Sequence, residues 1–448
     1  MNKNKYEIDM CNGSIMDKLI SFALPLMLSG ILQLMFNAVD IIVVGHFSSS
    51  QALAAVGSTT ALINVFVNLF IGVSLGTNVL AARCYAAGKD KEMSEVVHTS
   101  ILFALISGIV MAIIGVLLAK PALQLMQTPA DVIDQSALYM RIYFLGMPFF
   151  MLYNYGAAVL RAVGDTKRPL MYLILSGIVN TLLNLFLVIV FRLAVSGVAI
   201  STIIAQCISC ILILNCLRKS ESSYKLTFSG LSIKWVYLRQ IFQVGIPAGI
   251  QSTVINFSNA LLQSSVNSFG STAMAGYTAA NNILGFLYAS VNAVTQACMS
   301  FTSQNFGVGK YKRVDLVLRD CMILTVGVSL VLGGGAYLFG NEVLRIYTND
   351  SEVVRCGVEI LSITTVPYFL CGIMDLFPGS LRGMGYSTVP MILSVVGTVG
   401  MRIFWIYRVF PFHRSLYVLF ISYPASWTFT IIMQVICFIC VRKIVNRR

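Results

Sequence analysis

The sequence places an aspartate inside an apolar stretch that is long enough to cross a lipid bilayer. The stretch covers residues 22–45, and about 20 apolar residues are enough for a membrane-spanning helix. Asp40 lies near its end, and Asn37 and Gln33 precede it at spacings that put all three side chains on one helical face. An acid at the centre of such a helix costs about 2.5 to 3.5 kcal/mol. This face must therefore line a cavity or another helix, where Asp40 could bind a cation or a proton.

The composition is that of a polytopic membrane protein. Of 448 residues, 57% are hydrophobic and only 11% are charged, whereas a soluble protein carries about 25% charged residues. The net charge of +13 would suggest a nucleic-acid partner in a soluble chain. Here the basic residues fall in short loops, where they orient the protein in the membrane. We therefore expect the lipid bilayer, and no nucleic acid, as the partner of this surface.

Charged or Gly- and Pro-containing breaks divide the chain into about twelve apolar segments. The predicted spans are residues 17–45, 53–83, 94–119, 132–160, 168–191, 194–217, 237–267, 272–304, 314–340, 353–381, 388–411 and 415–441. Most of the 31 Lys and Arg residues lie in alternate loops and at the two ends. The sequence therefore predicts an all-α, multi-pass protein of a bacterial plasma membrane, with both termini in the cytoplasm.

The chain contains an internal repeat. Leu-Arg-Ala-Val-Gly at 160–164, followed by Pro169, recurs 221 positions later as Leu-Arg-Gly-Met-Gly at 381–385, followed by Pro390. We therefore predict an N-terminal six-helix lobe (1–218), a cytoplasmic linker (219–236) and a C-terminal six-helix lobe (237–448). Because each lobe has an even number of spans, the repeats are parallel, and a shared site is expected at their interface near the bilayer centre.

The repeat is asymmetric in charge. Asp40 corresponds to Leu262, while Asn37 corresponds to Asn259, so only the first lobe carries an acid at this position. A polar face that served only to hold helices together would not need the acid. The asymmetry favours a functional role for Asp40.

Ordered motifs give the chain a family resemblance. They are Asn-Ala-Val-Asp at 37–40, Ala-Ala-Gly-Lys at 86–89, Leu-Arg-Ala-Val-Gly-Asp-Thr at 160–166 and the later Leu-Arg-Gly-Met-Gly. Together with the duplication, they resemble the multidrug and toxic compound extrusion (MATE) transporters over essentially the whole chain. The resemblance implies twelve helices in two bundles, a V-shaped cavity, and efflux of organic, often cationic compounds by antiport against H+ or Na+.

The resemblance also implies an ion-coupling site. In that family the N-terminal lobe carries a cation site on the first-span acid and on residues of spans five and six, which here are Asp40, Asn180, Asn184 and Thr202. Many relatives have an acid where Asn184 stands, so this site has one carboxylate instead of two. Burial favours the protonated form of Asp40, while the amide and hydroxyl oxygens could also bind Na+. Both coupling ions stay open, and no other metal or cofactor is expected.

Polar and aromatic side chains in the spans are candidates for the substrate cavity. These residues are Gln33, Asn37, Asn64, Asn68, Tyr143, Asn154, Asn256, Asn259, Asn281, Tyr288, Asn292, Asp375, Arg402 and Trp405. Aromatic faces attract organic cations, and the 20 Met residues adapt to varied shapes. We expect small, amphipathic, cationic or neutral drug-like substrates. Arg402 could pair with Asp375 across helices or extend to the membrane interface.

Other functions are less well supported. A flippase or exporter of a lipid-linked metabolite would need a cavity rich in basic residues to hold pyrophosphate, and the spans contain few. A membrane enzyme would need a catalytic cluster, and neither such a cluster nor a G-x-x-x-x-G-K-[ST] phosphate loop occurs in the sequence. We therefore expect no catalytic residues. Nothing in the sequence demands more than a monomer.

Overall fold

The structure is a computed structural model that describes residues 6–48 and 50–446. The described residues are helical throughout, apart from short connections, and include no strand. They form two compact units by contact. Unit 1 contains residues 6–8 and Ile31–Ile246, and unit 2 contains Asp9–Gly30 and residues 247–446. The all-α prediction is confirmed, while the lobe boundaries drawn from the repeat stay a prediction.

Sixteen α-helices are named in chain order. The first eight are α1 (Ile15–Phe47), α2 (Ser50–Ala86), α3 (Asp90–Leu125), α4 (Ile133–Leu145), α5 (Met147–Ala162), α6 (Lys167–Leu185), α7 (Ala194–Lys219) and α8 (Trp235–Asn267). The others are α9 (Ser271–Gly307), α10 (Tyr311–Leu338), α11 (Gly340–Arg345), α12 (Ser351–Thr364), α13 (Tyr368–Gly383), α14 (Thr388–Ser394), α15 (Met401–Phe404) and α16 (Leu416–Asn446).

Most of these helices are long and apolar enough to cross a bilayer. Among the described residues, nine continuous helices meet this criterion, and two bent pairs meet it when each is taken as one span. The pairs are α4 with α5, bent by 45°, and α12 with α13, bent by 51°. Helix α8, with 33 residues, is also long enough to cross a bilayer. It does not meet the hydropathy criterion, because it contains many Ser, Asn and Gln residues. The chain is therefore a multi-pass membrane protein.

Two long helices are each divided between the units. Helix α1 belongs to unit 2 up to Gly30 and to unit 1 from Ile31, and α8 belongs to unit 1 up to Ile246 and to unit 2 thereafter. Each contains a proline, Pro25 and Pro247, which removes a backbone hydrogen bond and permits bending.

In unit 1, α1, α6 and α7 come together around the predicted ion-coupling residues. Gly177 of α6 faces the ring of Phe36 on α1, where a Cβ at position 177 would overlap the ring. Helix α6 continues into a π-helical turn, Phe186–Val190, before α7 begins at Ala194. Such turns shift the side-chain register and often occur near functional sites. The close approach at Gly177 lets the polar residues of α6 reach α1.

The amino-terminal segment is bound by side chains of both units. Within unit 1, the Glu7 carboxylate accepts hydrogen bonds from the hydroxyls of Tyr85 (2.8 Å) and Tyr224 (2.7 Å). Within unit 2, Asn305 donates to the carbonyl of Met10 (3.0 Å). The Lys310 and Arg313 side chains donate to further backbone carbonyls at residues 10–13. The segment is thus fixed on both sides of the Ile8–Asp9 bond.

The connection between α7 and α8 is held against unit 1 by His98 of α3. Its Nε2 atom accepts a hydrogen bond from the backbone N–H of Thr227 (3.1 Å), and its Nδ1 atom lies 2.7 Å from the carbonyl of Ser94. This arrangement requires the neutral imidazole, with its proton on Nδ1. His98 therefore has a structural role, since it binds the connection between α7 and α8 to α3.

Candidate functional site

The four residues of the predicted ion-coupling site lie together in unit 1. Asp40 of α1 accepts a hydrogen bond from Nδ2 of Asn184. The same Nδ2 atom donates to Oδ1 of Asn180, one turn earlier on α6, at 3.3 Å. Asn180 in turn donates to Oγ1 of Thr202 on α7 at 3.4 Å. A continuous chain of hydrogen bonds therefore joins α1, α6 and α7.

Ser201 belongs to this network and was missed by sequence reasoning. Its hydroxyl donates to Oδ1 of Asn184, and Asn184 is completely buried. The nitrogen and the oxygen of the Asn184 side-chain amide are thus both hydrogen-bonded, since Nδ2 donates to Asp40 and Oδ1 accepts from Ser201 of α7. The adjacency of Ser201 to Thr202 was the available signal, but residues next to each other on a helix point in different directions.

Among the described residues, Thr202 is joined to Asp40 by the hydrogen-bond chain and not by a direct hydrogen bond. Its hydroxyl donates to the carbonyl of Val198 one turn earlier on α7 (2.9 Å) and accepts from Asn180. The hydrogen bonds thus connect Thr202 to Asp40 through the two asparagines, whereas Asn184 contacts the carboxylate directly.

Two tyrosines of α4 lie within electrostatic range of Asp40. Tyr139 and Tyr143 have ring centroids 6.2 Å apart, and Tyr143 is hydrogen-bonded to Gln206 of α7. Two aromatic rings thus lie beside the polar network. Tyr143 was a predicted cavity residue, and Tyr139 lies one helical turn before it.

The remaining cavity candidates differ in exposure. Exposed residues are Gln33, Asn37, Asn64, Asn256, Asn281 and Tyr288, and partly buried ones are Asn68, Tyr143, Asn154, Asn259, Asn292, Asp375 and Trp405. Two of these side chains donate hydrogen bonds to backbone carbonyl groups. Asn154 donates to the carbonyl of Phe150 (2.8 Å), and Trp405 donates to that of Val418 (2.8 Å). These two side chains have structural partners.

In unit 2, the pairing of Asp375 with Arg402 is not formed. Nη1 of Arg402 donates to Oδ1 of Asn259 (2.7 Å), and the guanidinium lies over the ring of Tyr423, 4.3 Å from its centroid. No ion pair joins Asp375 to Arg402 among the residues described. Asp375 interacts electrostatically with Arg382, which lies on the same helix. The Arg382 guanidinium donates a hydrogen bond to Gln251 (2.5 Å). The pairing hypothesis was wrong, since the Arg402 guanidinium contacts Asn259 of α8 and Tyr423 of α16.

The oxygen atoms around Asp40 are largely engaged with one another. Oδ1 of Asn180 accepts from Asn184, and Oδ1 of Asn184 accepts from Ser201. Asn184 turns an N–H donor, and not an oxygen, towards the carboxylate. Within the described part of the chain, no group of three or more His, Cys, Asp and Glu residues could hold a metal ion. The Asp40 carboxylate therefore receives a hydrogen bond from an amide N–H of Asn184 within a network of amide and hydroxyl groups.

Comparison with known proteins connects this architecture to a family. The MatE family model matches residues 25–186 and 247–407, one match in each half of the repeat. The probable multidrug resistance protein YoeA of Bacillus subtilis is 28% identical over 423 residues, covering 92% of this chain and 91% of YoeA. The multidrug export protein MepA of Staphylococcus aureus is 23% identical over 385 residues, covering 84% of each chain.

Solved structures share the fold over the full length. A MOP superfamily transporter from Pyrococcus furiosus superposes with a TM-score of 0.92 at 19% identity, covering 99% of this chain and all of that one. An outward-facing multidrug resistance MATE family transporter gives a TM-score of 0.91 at 18% identity, covering all of both chains. The two matches of the family model agree with the internal repeat found in the sequence.

Proposed function

Because this chain belongs to the MatE family, we propose that it is a secondary active multidrug efflux antiporter that exports amphipathic organic compounds in exchange for protons. Export is supported by the relatives in Bacillus subtilis and Staphylococcus aureus, which are named as multidrug resistance or export proteins. We place the protein in a bacterial plasma membrane with both termini in the cytoplasm, since its basic residues concentrate in alternate loops.

The observation that carries the proposal is the hydrogen-bonded carboxylate of Asp40. An ionisable residue within a spanning helix is costly and marks an ion or substrate path. Asn184 binds the carboxylate on one side and Ser201 of α7 on the other. Hydrogen bonds to a charged acceptor are about twice as strong as those to a neutral one. Protonation of Asp40 therefore weakens its bond to Asn184 and loosens the attachment of α1 to α6 and α7.

The proton is favoured over Na+ by the direction of these hydrogen bonds. Na+ is bound by converging oxygen atoms, and here the amide oxygens of Asn180 and Asn184 already accept hydrogen bonds within the network. A proton needs only the carboxylate. One site with a single acid then carries one proton in each transport cycle.

The available energy is adequate for uphill export. One elementary charge moving through 100 mV releases about 2.3 kcal/mol. A tenfold substrate gradient costs about 1.4 kcal/mol. A single proton per cycle therefore supports export of a neutral compound against at least a tenfold gradient. Exchange of one proton for a singly charged cation moves no net charge, so it is driven by the pH difference alone, at about 1.4 kcal/mol per pH unit.

The proposal is tested with purified protein in sealed proteoliposomes, to which a pH gradient or a Na+ gradient is applied separately. We expect accumulation of ethidium with the pH gradient and none with the Na+ gradient. Asp40→Asn should fold, insert and lose accumulation. Asp17→Asn is the matched control, because Asp17 is an exposed acid at the start of the same helix. Full accumulation by Asp40→Asn, or accumulation driven by Na+ alone, would reject the proposed coupling.

A further inference from the structure

Arg402 is a buried charge without an acidic partner. It lies on α15, inside the apolar segment Thr388–Phe412, and only 3% of its surface is exposed. Among the described residues, its hydrogen bonds go to neutral groups, Oδ1 of Asn259 at 2.7 Å and Oγ of Ser258 at 3.5 Å. The ring of Tyr423 covers one face of the guanidinium. A cation in a membrane segment normally finds an anion or extends to the interface, and Arg402 does neither.

The hydrogen bonds of Arg402 leave one particular edge of the guanidinium unused. Both bonds leave from Nη1, and Nε is buried without a partner in the described part of the chain. Nε and Nη2 form the edge that grips a carboxylate with two parallel bonds. Elsewhere in this chain, Arg442 uses this edge to bind Asp315, with Nε at 2.8 Å and Nη2 at 2.6 Å from the two carboxylate oxygens. Arg402 therefore has a carboxylate-binding edge without a carboxylate.

Arg402 lies at a contact between two helices that are equivalent in the repeat to those of the Asp40 contact, although its own position is not equivalent to that of Asp40. In unit 1, the polar contact between the first helix and the fifth predicted span joins Asp40 to Asn184. In unit 2, the equivalent helices of the repeat, α8 and α15, are joined by Asn259 and Arg402. Unit 1 thus has an acid on the first of these two helices, and unit 2 has a base on the second.

We propose that Arg402 is the residue that binds a carboxylate group of the transported compound, and that it gives the protein a preference for compounds that carry this group. The carboxylate is held by Nε and Nη2, with Asn259 fixing Nη1 and Tyr423 supporting the guanidinium plane. Asn259 and Tyr423 are both partly exposed, so a carboxylate approaches Arg402 beside them, and neighbouring side chains must move aside to uncover the buried Nε atom. This inference rests on the proposed efflux function for the identity of the ligand as cargo.

The test measures equilibrium binding of a matched pair of dyes, without any ion gradient. Rhodamine 19 carries a free carboxylate, and rhodamine 6G is its ethyl ester, otherwise identical. Fluorescence anisotropy is recorded with the full-length protein in phosphatidylcholine nanodiscs at pH 7.5. We expect the wild-type protein to bind the acid about tenfold or more tightly than the ester, because two charge-assisted hydrogen bonds are lost on esterification. Equal binding of the two dyes by the wild-type protein overturns the proposal, whatever the variants do.

Three variants separate recognition from structure. Arg402→Gln should lose the preference for the acid while keeping the affinity for the ester. Arg402→Lys keeps the charge but lacks the two-pronged edge, and it should retain only part of the preference. Arg408→Gln is the matched control, since Arg408 is an exposed arginine one and a half turns later. Equal weakening of both dyes by a folded Arg402→Lys protein would mean that Arg402 is structural, and it would overturn the proposal.

A lipid phosphate is the other possible source of an oxyanion, and a second membrane composition distinguishes it. If adding phosphatidylglycerol abolishes the preference for the acid in both the wild-type protein and Arg408→Gln, Arg402 binds a lipid headgroup and the assignment to cargo fails. Unchanged acid binding supports it. Because binding is measured without a gradient, loss of acid preference and failure of proton coupling are separate outcomes.

Discussion

Among the described residues, the hydrogen-bonded network around Asp40 contains one acidic side chain, and under the proposed proton antiport this predicts one proton exchanged for each substrate molecule. Asp40 is bound to Asn184, and the rest of the network consists of amides and hydroxyls. One pH unit supplies about 1.4 kcal/mol for each proton, which equals a tenfold substrate gradient. With the membrane potential held at zero, we expect a limit of about tenfold accumulation per pH unit. A second exchanged proton would raise the limit to about one hundredfold.

The assay uses proteoliposomes with equal K+ on both sides and valinomycin, so that only the pH difference drives transport. The steady-state ratio of rhodamine 6G across the membrane is measured at pH differences from zero to two units. The logarithm of this ratio should rise with a slope of one. Asp40→Asn should equilibrate the dye at a ratio of one. Asp375→Asn should keep the slope, because Asp375 lies in unit 2, outside the network.

A slope of two would refute the reasoning from a single carboxylate. If that slope fell to one in Asp375→Asn, the second proton would belong to unit 2. A slope of one that persisted in Asp40→Asn would refute the role of Asp40 itself. Leak is excluded by vesicles without protein, in which the dye ratio must follow the electrical potential alone.

Three further predictions concern the surroundings of the site. Gly177→Ala should destabilise the protein by about 1 to 3 kcal/mol, because the new methyl group overlaps the ring of Phe36, and thermal unfolding measures this loss. Tyr85→Phe removes one of two hydrogen bonds to the Glu7 carboxylate, so amide exchange over residues 6–13 should accelerate about tenfold or more. His98→Ala removes the acceptor of the Thr227 amide, so exchange over residues 224–234 should accelerate similarly.

Each of these variants has a matched control in the same chain. Gly334→Ala adds a methyl group in open space and should not lower stability. Tyr347→Phe and His413→Ala change exposed residues and should leave amide exchange in both segments unaltered. Unchanged unfolding of Gly177→Ala would mean that α6 moves away from α1 without cost. Unchanged exchange in either of the other two variants would show that the corresponding hydrogen bond does not hold its segment.

The membrane-spanning helices could be predicted from hydropathy, but their bends could not be placed. Residues 132–160 and 353–381 were each predicted as one span, and each is a pair of helices. A proline marks each break in the sequence. Pro148 lies in the first turn of α5, and Pro367 immediately precedes α13. Hydropathy averages over a window longer than the break, so it joins the two helices. Proline position carries the missing information.

Asp40, Asn180, Asn184 and Thr202 were predicted as a site by family resemblance, and the helical spacing of the two asparagines supported their common direction; their ion-coupling role stays a prediction. Asn180 and Asn184 were expected to face one way, and both hydrogen-bond within the Asp40 network. Ser201 was missed because sequence alone does not fix how α7 is rotated about its axis against α6. For the same reason, sequence could not decide which neighbour Arg402 contacts, since a long side chain reaches several helices.

The fastening of the amino-terminal segment has a consequence for how the chain is made. Residues 10–13 leave the ribosome near the start of synthesis, but Asn305, Lys310 and Arg313, which bind them, are added about 300 residues later. At 5 to 20 residues per second, the segment waits about 15 to 60 s for these partners. Unit 2 therefore cannot close around its first residues until most of the protein has been translated and inserted.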